Sequence, residues 1–384
     1  MATVVFAVLA AAATGCGETA GAAPDYGHYL AHRVDGDYDR VPSRARGILA
    51  ESLRLGEHIV YPADIDPDLS QGHGGGVVAD FQGVTQTLST PQQQALKRYS
   101  VLGGFAVLAS NKSYLDNSTP RKFLSVAVLA FPDPATAASA AADMEHADFQ
   151  ANTDNVPVTI DPVPTAISHW RPGVANVGSW LAWKSLVIRV LAELPAPDLG
   201  PLTDLVARTY QRQEAALESY TPTSATDLPA LALDSDALLP RLVKTGDYLP
   251  DDKDFAVYGP HAYAVLSRTP GADAAEYTTR GVTAIAVSHN KHLFRTRDAA
   301  AAADLARTLS TRDDTSQYRP VRGVSGQSDT TCAEASKPDG LILQPRRFRC
   351  LVVRDAFVAM VYANTDIEVR QLAAAQFAVM GDAK

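Results

Sequence analysis

The chain predicts an α+β protein of two tandem domains, each an antiparallel sheet with helices packed on one face. Three observations carry that expectation. An order of strand, helix, hairpin and helix occurs twice along the sequence. A Pro-, Ser- and Thr-rich break, Thr221-Pro222-Thr223-Ser224-Ala225-Thr226-Asp227-Leu228-Pro229, separates the two occurrences. Finally, 46% hydrophobic residues over 384 positions supply enough apolar surface for two cores. The expected boundaries are residues 1–15 for a signal peptide, 16–45 for a tether, 46–220 for the first domain, 221–234 for a linker and 235–384 for the second.

The first element is not part of the fold. Val4 to Ala13 is an apolar run, followed by Thr14-Gly15-Cys16 and then the polar Gly17-Glu18-Thr19. About ten apolar residues are too few to span a bilayer, which takes roughly 20, but they suit the core of a signal peptide. Ala13-Thr14-Gly15-Cys16 resembles a bacterial lipobox, in which the cysteine thiol receives a diacylglyceryl group and becomes the mature N-terminus. Met1-Ala2-Thr3 lacks the usual basic residue, and Ala13 stands where leucine is commoner; the alternative is an ordinary thiol in a leader cleaved elsewhere. Lipidation at Cys16 implies a protein held on the outer face of the plasma membrane, since two or more acyl chains anchor stably where one does not. Residues 17 to about 45 show little periodicity and read as the tether.

In the first domain Phe123–Phe131 is apolar and β-branched, as a buried strand should be. Asp133 then caps and Pro134 opens an Ala-rich helix running to about His146. Val177–Trp183 and Leu186–Leu191, separated by Lys184-Ser185, form a hairpin, although Lys-Ser is not favoured turn chemistry. A helix to about Tyr220 follows, with Leu202, Leu205, Val206 and Tyr210 on its buried face. In the second domain Gly281–Val287 is the strand, Asp298–Leu309 the Ala-rich helix with Thr296 as its cap, and Arg349–Val353 with Phe357–Tyr362 the hairpin. A helix from about Asp366 closes the chain, with Val369, Leu372, Ala373, Gln376, Phe377 and Met380 on one side. Gly104–Ser110 and Ala262–Ser267 are earlier strand candidates.

The formal net charge of −9 argues against a nucleic-acid partner, which needs a basic footprint. No later run approaches 18 apolar residues, so no membrane-spanning helix is expected. Beyond Cys16 the cysteines are Cys332 and Cys350. Outside the cytoplasm they should pair, closing a loop of about 19 residues for roughly 3 kcal/mol. Two cysteines without close companions cannot complete a tetrahedral metal site.

Several residues match the order of uncharacterised actinobacterial cell-envelope lipoproteins with two tandem α+β domains. They are Val34-Asp35-Gly36-Asp37-Tyr38, Glu57-His58-Ile59-Val60-Tyr61-Pro62-Ala63-Asp64-Ile65-Asp66-Pro67-Asp68-Leu69, Ala130-Phe131-Pro132-Asp133-Pro134-Ala135-Thr136-Ala137-Ala138 and Leu231-Ala232-Leu233-Asp234. The chain resembles that family over most of its length. The resemblance implies an envelope location and an actinobacterial source, and no activity or functional residue. A looser likeness, at the level of element order, is to the extracellular sensor domains of mycobacterial serine/threonine kinases.

Catalytic and metal templates find little. His28 and His32 lie four apart near Asp25 and Asp35, but without the glutamate of a zinc-protease motif. His289 and His292 bracket Asn290-Lys291 and read as an exposed loop. Gly72-His73-Gly74-Gly75-Gly76 lacks the Lys-Ser/Thr of a phosphate loop and reads as flexible surface. Gly323-Val324-Ser325-Gly326 has Gln327 where a nucleophile elbow needs glycine. Candidate ligand-binding residues are Trp180 and Trp183, whose opposite strand parity leaves one available to stack on a sugar ring or cover an apolar groove, and Arg347 and Arg349, which can meet a lipid headgroup or phosphorylated glycan. The expectation is a lipid-anchored, non-catalytic module with no cofactor, binding an envelope lipid, glycan or protein. The alternatives are a hydrolase or transferase acting on envelope glycan or lipid, whose catalytic groups would converge from distant positions, and a lipid carrier with a deep apolar cavity.

Overall fold

Alternation in the strands sets the layers of the first domain. Seven antiparallel strands form one sheet in the order β1-β2-β3-β7-β6-β5-β4: β1 Gln71–Val77, β2 Gly103–Ser110, β3 Phe123–Ala130, β4 Val156–Val158, β5 Ile167–Trp170, β6 Asn176–Trp183 and β7 Leu186–Glu193. The computed structural model describes residues 23–34, 36–79, 87–116, 118–246, 254–311, 318–336 and 346–381, so the signal segment and Cys16 lie outside the described residues.

Val126 and Val128 of β3 face helices α1 (Arg44–Gly56) and α5 (Leu199–Leu217). Ala127 and Leu129 face helix α4 (Pro134–Phe149), which packs beside α3 (Thr90–Leu96). Both sheet faces are therefore covered. The expected single helical layer becomes two because β3 is buried at every position, a pattern that alternation cannot split into an inner and an outer side. Helix α4 starts as the residues dictate: Thr136 N–H donates to Asp133 Oδ1 at 2.8 Å, with Pro134 in the first turn.

The second domain repeats the topology. Strands β8 (Phe255–Tyr258), β9 (Val282–Ser288), β10 (Lys291–Thr296), β11 (Tyr318–Val321), β12 (Thr330–Ala335), β13 (Phe348–Arg354) and β14 (Phe357–Ala363) lie in the order β11-β12-β13-β14-β10-β9-β8. Read from the other edge, this is the path of the first sheet, strand for strand. Helix α8 (Ala299–Thr311) follows the third strand as α4 does, and α9 (Asp366–Gly381) follows the last as α5 does. Buried glutamines mark the equivalence. Gln213 on α5 accepts from Val60 N–H and donates to the His58 carbonyl at 3.0 and 2.8 Å. Gln376 on α9 does the same to Val243 N–H and the Arg241 carbonyl at 3.0 and 2.7 Å.

Several expectations change. Ala262–Ser267 is not a strand: Pro260–Ala264 is helix α6, whose Ala262 N–H donates to Glu57 from the first domain at 2.7 Å. The glycine run is β1, packed against the second domain. A Cβ on Gly72 would lie 2.3 Å from the Ser267 carbonyl, so only glycine lets the two backbones approach. The His289–His292 stretch is a hairpin turn leading into β10, with Lys291 and His292 buried. Thr296 donates to the Ala356 and Asp298 carbonyls, and Asp298 caps α8 through Ala301 N–H at 2.8 Å.

The tether and linker are also built in. Tyr29 donates to Glu368 at 3.2 Å, and Arg33 donates to the carbonyls of Val379 and Met380 at the end of α9. Asp39 accepts from Leu233 and Asp234 N–H at 2.9 and 2.8 Å. Buried Glu51 on α1 accepts from Tyr220 Oη, Thr223 N–H and Thr223 Oγ1, fixing the start of the linker. A Cβ on Gly47 would sit 1.8 Å from the Leu228 carbonyl. Polar composition suggested freedom here; buried acceptors removed it.

Candidate functional site

At the end of α4, Glu145 and Asp148 stand three residues apart and therefore share a face. That face meets His169 on β5. The imidazole Nδ1 lies 2.9 Å from Glu145 Oε1, and Nε2 lies 3.6 Å from Asp148 Oδ2. Ser89 donates to Asp148 Oδ1 at 2.5 Å. Behind His169 the Trp180 indole stacks at 5.3 Å between centroids and 24° between planes. Arg189, opposite Trp180 in the β6–β7 pairing, is buried with its guanidinium carbon 5.9 Å from the Trp180 ring. Its Nε and Nη1 make no hydrogen bond among the described residues, nor do Ser125 Oγ and Trp180 Nε1 on the same side of the sheet.

Beside this cluster opens a polar hollow of about 180 Å³, lined by Asp148, Asn155, His169, Trp170, Arg171, Val174, Asn176, Gly178 and Leu191. Gly178 lets the buried indole pack behind the hollow: a Cβ there would come 2.9 Å from the Trp180 ring.

Charges of both signs meet here. Burial works against the His169 cation, but hydrogen bonds to Asp148 and Glu145 outweigh it and raise the pKa to about 9. Burial likewise works against the Asp148 anion, yet His169, Ser89 and the nearby Gln92 hold its pKa down to about 2. Burial lowers that of Arg189 to about 10, with Asp148 opposing. At neutral pH the cluster holds Asp148 as an anion facing the His169 and Arg189 cations, with Glu145 hydrogen-bonded to the imidazole.

The residues singled out from sequence are dispersed. Trp180 belongs to the cluster as the wall behind His169. Trp183 lies at the far end of β6 on the opposite face, with Lys184 Nζ 4.0 Å from its ring centroid. Arg347 and Arg349 are in the other domain. Arg347 donates to Glu334 at 3.0 Å, and buried Arg349 lies over the Tyr318 ring at 4.5 Å. Cys332 and Cys350 are directly opposed on β12 and β13 and disulfide-bonded. Sequence reasoning missed Glu145, Asp148, His169, Trp170, Gly178 and Arg189. The Glu145/Asp148 spacing on an otherwise Ala-rich helix was the one available signal, because His169 and Arg189 come from strands 20 residues apart with no motif between them.

The molecule is thus a two-domain α+β protein with a polar hollow of mixed charge in its first domain. The chain belongs to the DUF7373 family: residues 38–233 match its N-terminal domain of unknown function and residues 238–383 its C-terminal domain of unknown function. Among solved structures it is similar to the extracellular domain of PknH from Mycobacterium tuberculosis, with 12% identity, 46% of this chain and 98% of that chain covered, and a TM-score of 0.32. No curated protein matches the chain. Among the described residues no helix is long and apolar enough to cross a membrane, and the disulfide is the chemistry of an oxidising compartment.

Proposed function

We propose that this chain is a lipid-anchored protein of an actinobacterial cell envelope whose first domain binds a ligand, without catalysis, in the His169 hollow. The protonation pattern of the hollow carries the reading. General acid–base chemistry needs a group whose pKa lies near the working pH. Here His169 stays protonated up to about 9 and Asp148 ionised down to about 2, so neither exchanges a proton readily near neutrality. The Ser89 hydroxyl donates to Asp148, which is too weak a base to activate it.

A lipid carrier fits less well, since acyl chains need a large apolar cavity. The hollow is polar, and a second cleft, beside Tyr38, Leu242 and Phe255, has a volume of only about 10 Å³. The apolar run ending at Cys16 supports the anchor, and the disulfide supports an extracytoplasmic site.

Three measurements test the reading. Cys16→Ala should move the protein from the membrane fraction to the soluble or medium fraction; unchanged membrane association removes the anchor. Purification from native membranes followed by mass spectrometry should recover a non-covalent ligand or partner, lost in His169→Ala. Hydrolysis of envelope glycan by the wild type, abolished in Asp148→Asn, would replace binding with catalysis.

A further inference from the structure

Accepting the hollow as a binding site, we propose that its occupant is a small monocarboxylate bearing a hydroxyl group. The charge count comes first. Asp148 and Glu145 face the imidazolium of His169 and the buried guanidinium of Arg189 behind it, so two negative groups offset two positive ones. Glu193, opposite Asn176 in the β6–β7 pairing, is matched by Arg121 at 3.2 Å. Arg171 differs. It lines the hollow and is exposed, and among the described residues no hydrogen bond or ion pair engages its side chain. One positive charge is left over, and an occupant with one negative charge cancels it.

A carboxylate meets that demand better than a phosphate. It is planar, carries a single charge and takes two parallel N–H bonds from a guanidinium. A phosphate monoester carries about −1.5 to −2 near neutrality, and the excess would stand beside Asp148. An organic cation would add to the unmatched charge of Arg171.

The His169–Asp148 contact asks for a hydroxyl. The imidazole Nδ1 is taken by Glu145, and Asp148 Oδ1 by the Ser89 hydroxyl. The remaining pair, His169 Nε2 and Asp148 Oδ2, stand 3.6 Å apart, long for a hydrogen bond. Both residues line the hollow, so a donor and an acceptor meet an occupant side by side. A hydroxyl accepts from the one and donates to the other.

The rest of the wall sets the size and the body. Trp170, Val174 and Leu191 supply apolar surface, and Trp170 Nε1–H donates to the Val174 carbonyl at 2.7 Å, which fixes the indole in place. A hollow of about 180 Å³ admits a molecule little larger than benzene, which fills a cavity of about 150 Å³. The occupant is therefore a short-chain acid.

Isothermal titration calorimetry of the full-length chain tests this. The probes are sodium lactate, glycerate and hydroxybutyrate, the hydroxyl-free propionate and butyrate, glycerol phosphate, methylammonium chloride and a neutral methyl hexoside. At least one hydroxy acid should bind, and more tightly than its hydroxyl-free counterpart. Its affinity should fall about tenfold or more in Arg171→Ala, an exposed change that leaves the circular dichroism spectrum intact. Hydroxy-acid binding unmoved by Arg171→Ala would overturn the assignment, and equal binding of the hydroxyl-free acids would overturn the hydroxyl contact. Binding of glycerol phosphate, methylammonium or the hexoside instead, lost in a folded His169→Gln variant, would overturn the carboxylate class and keep the hollow as a binding site. No binding by any probe, together with no ligand from native membranes, would overturn both readings.

Discussion

The two domains fold alike and diverge at one pair of strands. Five residues before the hairpin turns at Lys184 and Asp355, both in the left-handed region with φ of 54° and 50°, stand Ser179 and Cys350. Cys350 is disulfide-bonded to Cys332 directly across the β12–β13 pair. Ser179 faces Ser168 across β5–β6 in the same register, with 2.6 Å between hydroxyl oxygens, and also accepts from Tyr210 at 2.7 Å. One sheet is cross-linked covalently where the other is joined by hydrogen bonds. One position further along, buried Arg349 lies over Tyr318 where Gly178 makes way for the Trp180 ring. A common backbone thus accepts a disulfide or a hydroxyl pair, and an arginine or a glycine, at matching positions.

The largest test of that contrast removes the cross-link. Replacing both Cys332 and Cys350 by serine should cost about 3 kcal/mol in denaturant unfolding. Wild type under reducing conditions should fall to the same midpoint. Next, Arg349→Gly should cost about 2 kcal/mol, because it strips the packing beneath Tyr318 and leaves unfilled volume. Thermal unfolding reads this loss; no change would mean that Arg349 contributes no packing against Tyr318. Smaller again, Ser179→Ala should cost about 1 kcal/mol, as it takes the acceptor from buried Tyr210. The double change Ser168→Cys with Ser179→Cys should form a disulfide on oxidation, read as a loss of two hydrogens by mass; its failure would break the register equivalence.

The smallest effect is on pH dependence. His169 has a raised pKa, so its stabilising contribution is full below 6.5 and is lost as pH rises through about 9. Asp148 has a lowered pKa, so its contribution is full above 3.8 and is lost as pH falls through about 2. The first domain should therefore gain most from this pair between pH 3.8 and 6.5, and the gain should shrink on both sides. Glu145→Gln should lower the His169 pKa by about one, measured by NMR titration of the imidazole; an unmoved titration would remove Glu145 from the cluster.

The arrangement at the domain boundary explains why composition misled there. The 221–234 segment is rich in Pro, Ser and Thr, and residues 23–43 mix Gly, Ala, Pro, Asp and Arg with little periodicity, which is how a mobile connection looks in sequence. Yet Glu51 and Asp39 are acceptors aimed at the backbone of the linker, and Arg33 reaches the carbonyls that end α9. The domains also share apolar contacts: Gly56 lies so close to Phe105 and Ala262 that a Cβ would fall 2.8 Å from either.

By itself the sequence determined the α+β class, the two tandem units, the capped α4, the closing helices and the Cys332–Cys350 pairing. Each rests on short-range physics: propensity, capping, periodicity or the limited choice among cysteines. Tertiary structure alone decided that β1 is a strand, that α6 is a helix, that helices cover both sheet faces, and that Glu145, Asp148, His169 and Arg189 meet. Those outcomes depend on partners tens of residues away, such as Glu57 for α6 and the Ser267 carbonyl for Gly72. Local pattern carries no record of a partner that only the folded chain brings near.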